Sequence, residues 1–173
     1  SKQCGQGEFG KFLDTDIQRE LDIIQLNIGA YVILTKFFLK EMIERNDGKI
    51  MNVGSIAGEI PGPWQSVYHG TKAFINSWTA AIQNETKDSN VSITCLLPGA
   101  TDTDFFEKAD MENSKIAQPD KLASPTEVAK DGYDALMAGK KSIISGLKNK
   151  VQVGVANLLP DGIAAEQMSK QQE

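Results

Sequence analysis

The chain of 173 residues contains one histidine, two cysteines and no long uninterrupted apolar run. His69 alone cannot supply a multi-histidine metal site, and a Ser-His-Asp hydrolase would have to rely on this one residue. Cys4 and Cys95 cannot form a disulfide framework. Cys95 lies in an apolar run, where a small core residue is the simplest interpretation. The sequence therefore predicts no metal site and no disulfide scaffold.

The charge balance is acidic, with a net charge of −5. No basic cluster offsets it, so a nucleic-acid partner is not expected. No stretch approaches the roughly 18 apolar residues that a membrane-spanning helix needs, and the first residues do not resemble a signal sequence. We expect a cytoplasmic protein with a small-molecule ligand and neither a nucleic-acid nor a membrane partner.

Strand and helix patterns alternate along the chain. Helices are predicted at 28–45, 67–86, 125–137 and 149–159, strands at 49–53, 91–97 and 142–145, and a frayed polar tail at 161–173. This alternation is typical of an α/β fold with a parallel sheet and crossover helices. Ligands bind beyond the carboxyl ends of such strands, so Gly54-Ser55 and Pro98-Gly99 should open onto one crevice.

Tyr68 and Lys72 stand four residues apart in a predicted helix and therefore share one face. A tyrosine with a pKa of about 10 is a poor acid/base near neutrality, and a neighbouring ammonium is expected to lower that pKa. Ser55, at the end of the preceding strand, could hydrogen-bond a substrate oxygen as its charge develops. The three residues suit proton transfer at a carbonyl oxygen while a cofactor supplies hydride.

With Asn27 and the Pro98-Gly99-Ala100-Thr101-Asp102-Thr103 segment, these residues resemble the classical short-chain dehydrogenase/reductase family, and within it the ketoacyl-reductase-like members. The resemblance implies a single three-layer Rossmann-type domain with a doubly wound parallel sheet. It implies that Tyr68 is the acid/base, that Lys72 binds the nicotinamide ribose, that Ser55 orients the substrate and that Asn27 holds a water in a proton relay.

The resemblance also implies binding residues for NAD or NADP and for a small carbonyl or alcohol substrate. The predicted cofactor contacts are Gly5, Tyr68, Lys72, Pro98, Gly99, Thr101 and Thr103. Besides Ser55, the predicted substrate contacts are Trp64, Phe105 and Phe106, of which the phenylalanines begin a substrate loop at 104–123. A lid that packs on itself explains the apolar loop residues equally well.

The first half of the family fold is expected to be absent, together with the glycine-rich turn that receives the pyrophosphate. Gly5-Gln6-Gly7-Glu8-Phe9-Gly10 matches the dinucleotide fingerprint G-x-G-x-x-G, but a fingerprint follows a strand and opens a helix. Residues 1–14 are instead predicted to be a loop after a missing fourth strand, in which Gly5 matches the glycine of the family's Asn-Ala-Gly motif. The choice between NAD and NADP is unreadable, since its determinant would lie in the missing part.

Three functions remain open at this point. The first is an NAD(P)-dependent oxidoreductase, and the second is an impaired fragment or truncated paralogue that only pairs with other subunits. The third, an epimerase or dehydratase with the same Tyr-Lys pair, is less favoured because such relatives carry a larger substrate domain. A homodimer or homotetramer is expected through the helices at 28–45 and 67–86. The strand at 49–53 is expected to have an unpaired edge.

Overall fold

The computed structural model describes residues 6–105, 109, 111 and 122–172. Its helices are α1 (Ile17–Ile24), α2 (Ala30–Glu44), α3 (Ser66–Glu85), α4 (Pro125–Met137), α5 (Leu147–Ala156) and α6 (Asp161–Gln172). Its strands are β1 (Gly48–Val53), β2 (Val91–Leu97) and β3 (Ser142–Ile144), and two short turns are a π-helix at Gln25–Gly29 and a 3₁₀ helix at Ile56–Glu59.

The described strands form a parallel sheet in the order β1-β2-β3. On one face, Ile82 of α3 packs with Ile93 of β2 and with the neighbouring Ile50, Leu39 and Met42. On the other face, Gly132 of α4 lies so close to Leu96 and Met51 that a β-carbon there would be 2.8–2.9 Å from their side chains. Helices therefore cover both faces, which confirms the three-layer α/β prediction.

The helix predicted at 28–45 begins much earlier in the structure. One continuous helix of 28 residues runs from Ile17 to Glu44, because a π-turn joins α1 to α2 without a break. Ala30 closes this turn by donating its backbone N–H to Gln25, five residues back. The prediction that this helix begins at residue 28 was therefore wrong. The start is capped by Asp16, whose side chain accepts from the N–H of Arg19 at 2.9 Å.

The long helix also corrects the expectation about membrane-spanning segments. One 18-residue window of this helix has a mean hydropathy of 1.3. By length and composition alone, the helix could therefore cross a membrane. Apolar core helices of soluble proteins meet the same criterion, and the inner side of this helix packs on α3 and β1. Its outer side is uncovered, with Ile33 at 62% and Phe37 at 63% exposure.

The prediction that the polar tail after Asp161 is frayed is wrong as well. Residues Asp161–Gln172 form α6, and its Ala164 and Met168 pack against Ile60 in a buried cluster. Trp64 donates its indole N–H to Ser169 at 3.0 Å, which is a second attachment of the helix to the same loop. As a result α6 lies over the loop that connects β1 to α3.

Within the described residues, β1 forms one edge of the sheet, as the sequence predicts. A groove of about 370 Å³ follows this edge between β1 and the side chains of Tyr31, Leu34 and Phe38. Unpaired strand edges favour association with another strand. In the part of the chain that the structure describes, this edge and the apolar outer side of α2 are both uncovered.

Candidate active site

A cavity of about 920 Å³ opens at the carboxyl ends of β1 and β2, where parallel sheets bind their ligands. Its volume is at the upper end of the range for small-molecule sites. The described residues predicted to bind the cofactor all line it: Tyr68, Lys72, Pro98, Gly99, Thr101 and Thr103. Ser55 and Phe105 line it as well. The structure therefore brings most of the predicted site into one place.

Ser55 is held by the chain that turns away from β1. It is the N-cap of the 3₁₀ helix, where its hydroxyl accepts from the N–H of Ala57 at 3.0 Å. The hydroxyl also lies 3.4 Å from the carbonyl oxygen of Pro98, to which it donates. The side chain of Asn76 in α3 hydrogen-bonds the backbone of Ser55. It donates to the Ser55 carbonyl at 2.9 Å and accepts from the Ser55 N–H at 3.4 Å. These contacts fix the hydroxyl between the two strand ends.

Tyr68 lies in the first turn of α3 and hydrogen-bonds the side chain of Ser55. Burial raises the pKa of Tyr68 to about 12, while the hydrogen bond from Ser55 opposes the rise and nearby Tyr31 adds to it. The expectation of a lowered pKa is therefore wrong for the protein alone, because removal of water around the hydroxyl outweighs its neighbours. Tyr68 is therefore protonated at neutral pH.

Lys72 is 3% exposed, and its ammonium donates to the carbonyl oxygen of Val53 at 3.0 Å. The same nitrogen lies 5.9 Å from the centre of the Tyr68 ring. A cation at this distance in a buried site stabilises negative charge that develops on the phenol. The helical spacing of Tyr68 and Lys72 thus places the two side chains together, as predicted.

Asn27 is 1% exposed and lies inside the π-turn. Its amide donates to the carbonyl of Gln6 at 2.9 Å and to the hydroxyl of Thr71 at 3.0 Å, and it accepts from the N–H of Gln6 at 3.1 Å. These contacts attach the N-terminal stretch to α3 beside Lys72. The relay role of Asn27 stays a prediction.

The end of β2 is shaped by Pro98 and Gly99. The carbonyl of Pro98 accepts from the N–H of Ile56 at 3.0 Å, which joins the two strand ends. A β-carbon on Gly99 would lie 2.4–2.6 Å from the side chain of Asn149, so a larger residue fits only if that side chain moves. Thr101 continues the segment and donates its hydroxyl to the Gly99 carbonyl at 3.0 Å.

The predicted substrate contacts have different positions. The ring of Phe105 lies 4.9 Å from that of Tyr68, directly beside the proposed acid. Trp64 stacks on Phe9 at 5.9 Å and faces α6, so its contact with substrate stays a prediction. Phe106 and Gly5 lie outside the described residues. The stretch from Gln6 to Asp16 contains no helix, in agreement with the predicted loop and against the fingerprint.

Sequence reasoning missed several residues that build the site. Asn76 follows Lys72 by four residues, as Lys72 follows Tyr68. This helical spacing could have identified Asn76 as a residue of the site. Tyr31 follows Asn27 by the same step and lies 3.4 Å from the Val53 carbonyl. Gln65 and Gln172 also line the cavity. No local pattern marks Gln172, because it reaches the cavity only through the packing of α6.

Comparisons with known proteins agree with this geometry. A family model described as short chain dehydrogenase matches residues 3–114. Very-long-chain 3-oxoacyl-CoA reductase of Laccaria bicolor is 37% identical over 85 residues, which are 49% of this chain and 25% of that protein. Dehydrogenase/reductase SDR family member 7B of Rattus norvegicus is 31% identical over 140 residues, 78% of this chain and 43% of that protein.

A solved short-chain dehydrogenase from Sphingobium yanoikuyae in complex with NADPH has the same fold, with a TM-score of 0.76 and 21% identity. The alignment covers 95% of this chain and 66% of that one. The matched regions of this chain therefore cover only 25% and 43% of the lengths of the two curated relatives.

Proposed function

Because the chain belongs to the short-chain dehydrogenase family, we propose that it acts as an NAD(P)-dependent oxidoreductase on a carbonyl or alcohol substrate. The observation that carries this proposal is the meeting of Ser55, Tyr68 and Lys72 in one cavity at the ends of β1 and β2. Two hydroxyls and an ammonium suit a ligand that presents ribose hydroxyls and a reacting carbonyl oxygen.

The donor set at the cavity fits a nicotinamide cofactor. Lys72 and Tyr68 would hold its ribose, and the segment from Pro98 to Thr103 would line the nicotinamide pocket. The cofactor, when bound, supplies or accepts hydride. Either NAD or NADP is compatible with these residues.

The chain's own residues handle the proton. In the direction of reduction, the hydroxyls of Ser55 and Tyr68 hydrogen-bond the carbonyl oxygen, and Tyr68 donates its proton as negative charge develops there. The high pKa of Tyr68 keeps this proton in place until an alkoxide, a stronger base than phenolate, can accept it. Lys72 then stabilises the phenolate by its positive charge.

The test is reduction of a panel of ketones by the full-length protein, followed through NADH or NADPH absorbance. Tyr68→Phe should lower kcat/KM by about 10²–10⁴-fold, the usual contribution of general acid catalysis. Tyr133→Phe is the matched control, since Tyr133 is 60% exposed on α4 and does not line the cavity. Equal activity of the two variants would overturn the assignment. Failure to bind either nucleotide by fluorescence titration would favour the non-catalytic alternative.

We also propose that the protein self-associates through α2 and α3. The support is a row of exposed apolar side chains on α2, namely Ile33, Leu34, Phe37 and Phe38, together with Phe74 on α3. A cytoplasmic location remains part of the proposal, and it is supported by the buried free thiol of Cys95.

A further inference from the structure

One side chain of α3 is bonded to both ends of the 3₁₀ turn that follows β1. Nδ2 of Asn76 donates to the Ser55 carbonyl at 2.9 Å and to Oε1 of Glu59 at 2.6 Å. Ser55 is the N-cap of this turn, and Glu59 is its last residue. The two hydrogen atoms of the Asn76 amide are therefore used at the start and at the end of the same short segment.

The carboxylate of Glu59 reinforces one orientation of the Asn76 amide. A carboxylate oxygen accepts hydrogen bonds, so it selects the amide nitrogen and leaves Oδ1 to accept from the Ser55 N–H at 3.4 Å. A reversed amide would set its oxygen against two acceptors and its nitrogen against a donor. The contact with Glu59 is also the shortest that the amide makes, and a hydrogen bond to a charged group is stronger than one between neutral groups.

The amide of Asn76 is closely enclosed. A β-carbon at Gly54 would overlap its Oδ1, and a β-carbon at Gly58 would lie 2.5 Å from its Nδ2. Sγ of Cys95 in β2 lies 3.9 Å from Oδ1. Because the space around the amide is filled, a displacement of Asn76 is transmitted to the turn and to Ser55.

Neither Glu59 nor Asn76 lines the cavity, whereas Ser55 and Ala57 do. The Ser55 hydroxyl accepts from the N–H of Ala57 at 3.0 Å, so its position depends on the path of the turn. An effect of Glu59 on the reaction must therefore pass through the turn to this hydroxyl.

We propose that Glu59 is a positioning residue, which holds the Ser55 hydroxyl in place for the substrate oxygen by anchoring the Asn76 amide between the two ends of the turn. This inference rests on the proposed function, in which Ser55 hydrogen-bonds the carbonyl oxygen. A group that stabilises developing charge must be held where the charged oxygen will lie. A displacement of about 1 Å can lower the rate by about 10²-fold. Loss of the Glu59 carboxylate should therefore lower kcat and leave the KM for the nucleotide nearly unchanged.

The experiment is a double-mutant cycle between Glu59→Met and Ser55→Ala, measured on ketone reduction by the full-length protein. Alone, Ser55→Ala should lower kcat by about 10²–10³-fold, the usual effect of removing one such donor. Glu59→Met alone should lower kcat by about 10–10²-fold. In the Ser55→Ala protein, Glu59→Met should change kcat by less than about twofold, because there is no hydroxyl left to position.

Three further variants complete the design. Glu59→Gln keeps an acceptor for the Asn76 amide and should restore most of kcat. Glu59→Ala removes the acceptor with less bulk and should behave as Glu59→Met does. Glu85→Met is the matched control and should keep full activity, since Glu85 is exposed at the end of α3 and does not line the cavity.

The outcomes separate this proposal from the oxidoreductase assignment. Full activity of Glu59→Met and Glu59→Ala would overturn the positioning role. An equal fold-loss from Glu59→Met with and without the Ser55 hydroxyl would overturn it too, because a general loosening of the fold lowers activity in both backgrounds. Either result leaves the oxidoreductase assignment standing, since Tyr68→Phe tests that assignment separately. If the unaltered protein reduces no ketone of the panel, both proposals fall.

Discussion

Replacing Gly58 by alanine is expected to lower both stability and activity, because the 3₁₀ turn after Ser55 packs directly on α3. A β-carbon at Gly58 would lie 2.6 Å from the backbone carbonyl of Lys72 and 2.5 Å from Nδ2 of Asn76. Contacts of this length are essentially never seen for real β-carbons. The carbonyl belongs to a helix of 20 residues and cannot swing aside, so the turn and the helix must separate.

The magnitude follows from the cost of overpacking a fitted interface, about 1–3 kcal/mol in the free energy of unfolding. For a domain of this size, each kcal/mol moves the melting temperature by about 2–4 °C. Gly58→Ala should therefore lower the melting temperature by roughly 2–12 °C. It should also lower kcat/KM, since the displaced segments carry Ser55 and Lys72.

Gly154→Ala is the matched control. Gly154 lies inside α5, and a β-carbon there meets nothing within 4 Å. Alanine is a better helix former than glycine by about 0.5–1 kcal/mol. The same substitution should therefore raise the melting temperature here by roughly 1–4 °C.

Thermal melting and urea denaturation of the three proteins check these values. A shift of the urea midpoint at constant slope identifies a change in stability rather than in the unfolded state. If Gly58→Ala melted at or above the temperature of the unaltered protein, the close packing of the turn on α3 would be refuted. A loss of stability in both variants would refute the argument from local contact.

Two further predictions concern titration and assembly. Tyr68 has a pKa of about 12 in the folded protein, above the unfolded value of about 10. Its contribution to stability is therefore complete below about pH 10 and is lost as pH rises through about 12. Between about pH 9 and 11.5, the urea midpoint of Tyr68→Phe should decline less than that of the unaltered protein. Parallel declines would contradict burial as the cause of the raised pKa. Phe37→Glu, on the exposed side of α2, should reduce the sedimentation coefficient of an assembled protein. Leu158→Glu, which is 85% exposed but lies outside the long helices, should not, and equal effects would argue against α2 as the interface.

The strands and the reacting residues could be predicted from the sequence because their signals are local. Strand β2 matches its prediction at both ends, since apolar residues run up to Pro98. Tyr68 and Lys72 meet because helical spacing alone places them on one face. Ser55 follows from its position at a strand end. These features need no knowledge of distant contacts.

The errors have a different origin, since each depends on residues far apart in the chain. The single helix from Ile17 to Glu44 continues through a π-turn, in which Asn27 hydrogen-bonds Gln6, 21 residues earlier in the chain. Helix α6 has a polar sequence and is stabilised by contacts with the loop before α3. The pKa of Tyr68 is raised by burial, which no pattern of spacing reveals.

The π-turn at Gln25–Gly29 allows the long helix to hold one residue more than regular winding would. Its closing bond spans five residues, from Ala30 to Gln25, where an α-helical bond spans four. Because the wider turn absorbs the additional residue locally, the helical segments on its two sides keep nearly the phase of one regular helix. Asn27 faces Gln6 and Thr71 from within this turn, and Tyr31 faces Val53 just after it. A length variant that loses one residue here should therefore leave α1 and α2 on their present faces.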